Sequence, residues 1–146
     1  MLRRIVSIVL LGVVVFGVVA CGGGASAEDA ARDRIEQGSK GEFDKVWESL
    51  HPGQQALVPE DLFVRCSQEN AQQNDPTVDK IDVTSVKTQT MDVPAVGNVE
   101  VKSVSVTQYR GDSATPRIWN MVKADGKGRW VLASGPLETF RSGQCP

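Results

Sequence analysis

"VDKIDVTSVKTQTM", Val78 to Met91, is where the chemistry of this sequence changes. Upstream, apolar residues recur at helical spacing. Here Val, Ile and Thr take over, and the stretch reads as one long strand. Pro94 and Gly97-Asn98 then mark a return. Val99 and Val101 share one parity while Val104 and Val106 share the other, which predicts a β-bulge near Lys102-Ser103. "YRGDSATP", from Tyr109 to Pro116, reads as a loop. Ile118, Asn120 and Val122 alternate with Trp119, Met121 and Lys123 in a third strand. Asp125-Gly126-Lys127-Gly128 makes a tight hairpin into a fourth, Arg129 to Ser134.

Helices precede this meander. Ser26 and Asp29 have the spacing of a capping box, and Ala27 to Gln37 reads as a first helix ended by Gly38. Phe43, Val46, Trp47 and Leu50 fall on one face of a second, which Pro52 and Gly53 stop. Pro59, Glu60 and Asp61 suit the first turn of a third, which turns Leu62, Phe63 and Cys66 inward. Asn74-Asp75-Pro76 breaks it. Helices first and an antiparallel sheet after define an α+β domain with its helices on one face of about four strands.

The N-terminus carries an address. Arg3 and Arg4 lead an apolar run from Ile5 to Ala20 whose only polar side chain is Ser7. As a helix it would reach roughly 24 Å, short of the ~30 Å core of a bilayer. Residues 1–20 therefore read as a signal peptide. "VVAC", Val18 to Cys21, resembles the lipobox of bacterial lipoproteins. The resemblance implies cleavage between Ala20 and Cys21 and a diacylglyceryl group on the Cys21 sulfur. Several acyl chains at roughly 0.8 kcal/mol per buried CH₂ would anchor the protein stably. That places it on the outer face of the cell membrane. Residues 21–26, with Gly22-Gly23-Gly24, form a flexible tether, and 27–146 form one domain.

Composition narrows the functions. Losing Arg3 and Arg4 with the signal takes the formal charge from −2 to −4. An acidic surface argues against nucleic acid as a partner. With Cys21 lipidated, Cys66 and Cys145 remain as an even pair in an exported, oxidising setting, which favours a disulfide. A metal or reactive-thiol site is the alternative, without a C-x-x-C or a neighbouring His to support it.

"FDKVWESLHPGQQALVPEDLFVRC", Phe43 to Cys66, is similar to a segment of exported bacterial proteins in the nuclear transport factor 2-like superfamily. The resemblance implies a strongly bent antiparallel sheet wrapped around helices with a conical pocket between. Its members include ketosteroid isomerases, polyketide cyclases and non-enzymatic binding or accessory domains, so the fold leaves the function open.

An isomerase or cyclase needs an acid–base pair in its pocket. The chain has one His and one Tyr. His51, before Pro52, is expected at the end of the second helix, where an imidazolium would favour the dipole and donate to a free carbonyl. Tyr109 is expected at a strand end, on a rim. Trp47, Trp119 and Trp130 are core residues or pocket walls. Ser113 in "GDSAT" lacks the glycine of a nucleophile elbow. Asp79 and Asp82 lack calcium-loop spacing. No cofactor or metal is expected. The leading expectation is a lipid-anchored binding or accessory domain for a small apolar ligand or a protein partner, with a homodimer as one form. The alternatives are a pocket enzyme, or a structural accessory of cell-wall machinery.

Overall fold

At Ser26 the chain enters its first helix through a complete capping box: Ser26 Oγ accepts from the Asp29 N–H at 3.1 Å, and the Asp29 carboxylate accepts from the Ser26 N–H at 3.3 Å. This is the start of the computed structural model, which describes residues 26–146. The signal segment, Ala20, Cys21 and the three tether glycines lie outside them.

The helix, α1 (Ala27–Ser39), runs past Gly38, and the exit falls to Gly41 at φ 75°. Next come α2 (Phe43–Glu48), α3 (Pro52–Gln55) and α4 (Glu60–Gln73). Pro52 opens a new turn as well as closing the old one. At a first helical position its missing N–H costs nothing. Between α2 and α3, Leu50 bridges to Trp130: the His51 N–H donates to the Trp130 carbonyl at 3.0 Å, and the Trp130 N–H donates to Ser49 at 3.2 Å. Leu62, Phe63 and Cys66 of α4 are buried, as their spacing predicts.

The strands are β1 (Lys80–Val93), β2 (Gly97–Arg110), β3 (Ser113–Ala124) and β4 (Lys127–Trp130), antiparallel in the order β1-β2-β3-β4. The architecture is α+β, with helices followed by an open four-stranded sheet. The "YRGDSATP" segment is not a loop. Tyr109 and Arg110 pair with Ala114 and Ser113, leaving only Gly111-Asp112 as the turn. The fourth strand stops at Trp130 and a fifth helix, α5 (Ser134–Arg141), follows. Ser134, Gly135 and Pro136 suit a strand poorly, while Leu137 and Phe140, three apart, share its buried side.

The expected bulge moves as well. Register shifts in β1, between Val83 and Ser85, and β2 is regular through Lys102-Ser103. The parity change in β2 has a different cause, because the sheet buries side chains on both faces. Val104, Val106 and Met121 join the main core with Leu50, Phe63, Trp130, Leu137 and Phe140. Val101 packs with Val93 and Val122 in a separate cluster. Met121 and Val122 are neighbours in one strand, so the two clusters lie on opposite faces.

Two fastenings close the domain. Gln54 is fully buried; its Nε2 donates to the Pro94 and Leu132 carbonyls at 3.0 Å each, and its Oε1 accepts from the Leu132 N–H at 2.7 Å. Beside it, a Cβ on Gly53 would come within 2.6 Å of the Ala95 carbonyl oxygen, so the backbones touch. At the other end Cys66 in α4 is disulfide-bonded to Cys145, with Cα atoms 5.3 Å apart.

Candidate functional site

The inner face of α1 is built from Ala27, Ala31 and Ile35, all buried. Arg34 belongs to the same stripe, three residues after Ala31. It is carried under the helix against the sheet. Its guanidinium carbon lies 3.9 Å from the ring centre of Trp119 in β3 and 4.6 Å from that of Trp130 in β4. Cation–π contact of this kind compensates partly for lost water. Burial still pushes the Arg34 pKa down to about 10, so the group stays charged at neutral pH.

Around Arg34 there is open space. A cleft of about 310 Å³ is lined by Arg34, Phe63, Asn70, Val78, Gln108 and Trp119. It shares Arg34, Phe63 and Trp119 with a second recess of about 210 Å³, which reaches Trp130, Phe140 and Pro146. The cleft wall is mixed, with Ser67, Asn70, Asn74 and Gln108 among its apolar side chains, while the recess is mainly apolar and aromatic, the usual lining of a small-molecule site. Phe63 stacks at a tilt on both Trp130 and Phe140, at 6.0 and 5.6 Å between ring centres.

The hydrogen bonding in this cleft is incomplete. Arg34 Nε and Trp119 Nε1 are shut off from solvent, and neither has a protein partner. Native proteins leave few buried polar groups unpaired, and each calls for a partner, whether a water, an ion or a ligand. The only other two side-chain atoms of this kind among the described residues, Gln37 Oε1 and Arg129 Nε, lie outside the cleft lining.

At the mouth the charges are arranged differently. Arg110 Nε donates to the Thr77 carbonyl at 2.9 Å, and its Nη2 donates to the Asp75 carbonyl. The Asp75 carboxylate accepts from both the hydroxyl and the N–H of Thr77, which holds its pKa below the usual carboxylate range. Arg117 stands exposed beside them.

The sequence-predicted residues divide. Trp119 and Trp130 come together at the cleft. Tyr109 reaches only an outer depression that shares Asn70, Gln108 and Arg117 with the cleft mouth. Trp47 is half-buried elsewhere, donating to the Val58 carbonyl at 2.8 Å, and it does not line the cleft. His51 also stays away, and its expected role is reversed. It caps the start of α3, with Nδ1 accepting from the Gly53 N–H at 3.1 Å. An imidazole that must accept cannot be the expected imidazolium donor, and burial together with Arg129 lowers its pKa. The face of the sheet away from the helices exposes Ile118, and none of the three tryptophans.

Arg34 was outside the sequence expectations. Its signal lay in α1 itself: a cation on the apolar stripe whose helical neighbours, Ala30, Ala31, Gln37 and Gly38, are all uncharged. A wider depression of about 580 Å³ lies between Ser26 and the β3–β4 turn, but no unpaired buried polar atom lines it. Among the described residues no cluster of His, Cys, Asp and Glu could hold a metal, and no helix is long and apolar enough to cross a membrane. No family model matches the chain, and no curated protein matches it.

Proposed function

We propose that this chain is a lipid-anchored extracytoplasmic binding domain of the nuclear transport factor 2-like kind, with the Arg34 cleft as its ligand site. The observation that carries the reading is the pair of buried donors, Arg34 Nε and Trp119 Nε1, left unpaired beside an aromatic recess. The order of helices followed by an antiparallel meander supports the fold family. "VVAC" and the glycines after it support the anchor. From Cys21 to Ser26 the chain could span at most about 18 Å, which would hold the domain close to the lipid surface. Binding is favoured over acid–base catalysis because His51 is committed to the α3 cap and lines no part of the cleft.

Mass spectrometry of the full chain purified from bacterial membranes tests both halves. Denatured, the expected product begins at Cys21 and carries a diacylglyceryl group. A chain that keeps residues 1–20, or has an unmodified Cys21, overturns the anchor. Under native conditions a small adduct lost on gentle activation is expected, and Trp119→Ala should abolish it. An adduct that survives this substitution overturns the cleft as the site.

A further inference from the structure

The cleft specifies the chemistry of its ligand. This inference rests on the binding reading above and goes further, to the ligand class. Both orphan groups in the cleft are donors, and Arg34 and Trp119 carry no acceptor at all in these side chains. Whatever completes them must bring acceptors to these two groups. Arg34 carries a full charge and forms no ion pair among the described residues. An anion would satisfy it, where a neutral carbonyl would leave the charge uncompensated.

The charged neighbours shape what can enter. Arg110 is already committed to the Thr77 and Asp75 carbonyls. The Asp75 carboxylate at the mouth would repel a second negative group. Arg34 is the cation stacked on the indole rings inside the cleft, and its planar fork matches the two oxygens of a carboxylate. Phe63, Trp130, Leu132 and Phe140 wall the adjoining recess, and Trp119 is common to both spaces. They would take an apolar body. Exposed Arg117 at the entrance adds an attraction for the approaching anion.

We infer that the Arg34 cleft binds a monocarboxylate with an apolar tail or ring: Arg34 and Trp119 shift on binding to bring their shielded N–H groups to the carboxylate, and the apolar part lies against Phe63, Trp130 and Phe140. An inorganic oxyanion would satisfy the donors but leave the aromatic walls uncovered. A neutral apolar molecule would cover the walls and leave the donors unpaired.

The test follows the three indole N–H signals by NMR, using the full chain in a neutral detergent. Trp47 is the internal reference, since it lies outside the cleft and its Nε1 already donates to Val58 at 2.8 Å, whereas Trp130, whose ring walls the recess, should move with the apolar part of the ligand. The probes are 4-phenylbutyrate, its neutral amide and inorganic phosphate. The acid should move the Trp119 signal saturably and the amide should bind at least about tenfold more weakly. R34M should weaken the acid by a similar factor, and R34K, which keeps charge without the fork, should fall between. If R34M fails to fold, the acid–amide contrast in the native chain decides alone. Equal binding of acid and amide, or acid binding that R34M leaves intact, overturns the carboxylate and leaves the cleft as an apolar site. A response to phosphate alone also overturns it, in favour of an inorganic oxyanion. A Trp119 signal that no probe moves overturns both this inference and the binding reading.

Discussion

Gln54 and Arg34 are both polar side chains drawn into the interior, and they differ in how they are met. Gln54 forms three hydrogen bonds and fastens α3 to the Pro94 turn and to Leu132. Arg34 forms none among the described residues and rests on two indole rings. One end of the domain is sealed by complete pairing, and the other holds a charge and a cavity. A buried polar group that is fully paired specifies the fold, whereas one left open costs stability and is retained where something else completes it.

If the comparison is right, the largest effect comes from Gln54→Leu. Two carbonyls and one N–H would lose their partner where the Gln54 side chain itself is wholly buried. Urea unfolding should show a loss of about 3–5 kcal/mol. A loss under about 1 kcal/mol would mean that the α3 end repacks or admits water, and that the contrast with Arg34 is empty. By the same logic Arg34→Met should be nearly neutral or stabilising. It removes a cation whose folded pKa lies below its ordinary value, so the charged form is disfavoured by folding at all pH values below about 10.

The disulfide sharpens the comparison from the cleft side. Cys66 and Pro146, next to Cys145, both line the aromatic recess, so the bond holds the C-terminal tail as part of its wall. Replacing both cysteines by serine should cost about 2–4 kcal/mol. Hydrogen exchange should quicken at α5 and around Trp119 while the Gln54 end keeps its protection. Uniform acceleration would show that the two ends open as one unit.

Much of this was legible in the residues, for reasons that differ by region. The capping box at Ser26, the buried side of α4 and the Asp125-Gly126 turn depend on short-range spacing, which a sequence displays directly. The β2 parity change was visible but admitted two explanations. A bulge and a sheet buried on both faces leave the same trace, and only the tertiary packing of Val93, Val101 and Val122 separates them. α5 was hidden because Gly135 and Pro136 act as breakers in one context and as a helix's first turn in another. The lining of the cleft was least legible. Trp119 and Trp130 stood out by size, but Arg34 acquires its meaning only from strands some 85 residues away in the chain, and the absence of an acidic partner is a weak local signal.

The smallest effect is expected at His51, and it tests the sealed end by pH. Its Nδ1 accepts from the Gly53 N–H, which requires the neutral ring, and its folded pKa lies below its ordinary value through burial and then Arg129. The unfolded chain therefore binds the proton more readily. Stability from this cap is fully present above the unfolded pKa of about 6.5 and is lost as pH falls from there through the lowered folded value. His51→Asn supplies an acceptor that does not titrate and is itself a favoured cap. Its unfolding free energy should match the native protein's near pH 7.5 and exceed it near pH 5. If the two proteins lose stability in parallel between those values, His51 is not the titrating group. Asp75 and Asp82, both lowered by their hydrogen bonds to Thr77 and Lys80, contribute stability that is lost only below about pH 5, so they do not account for a change in this window.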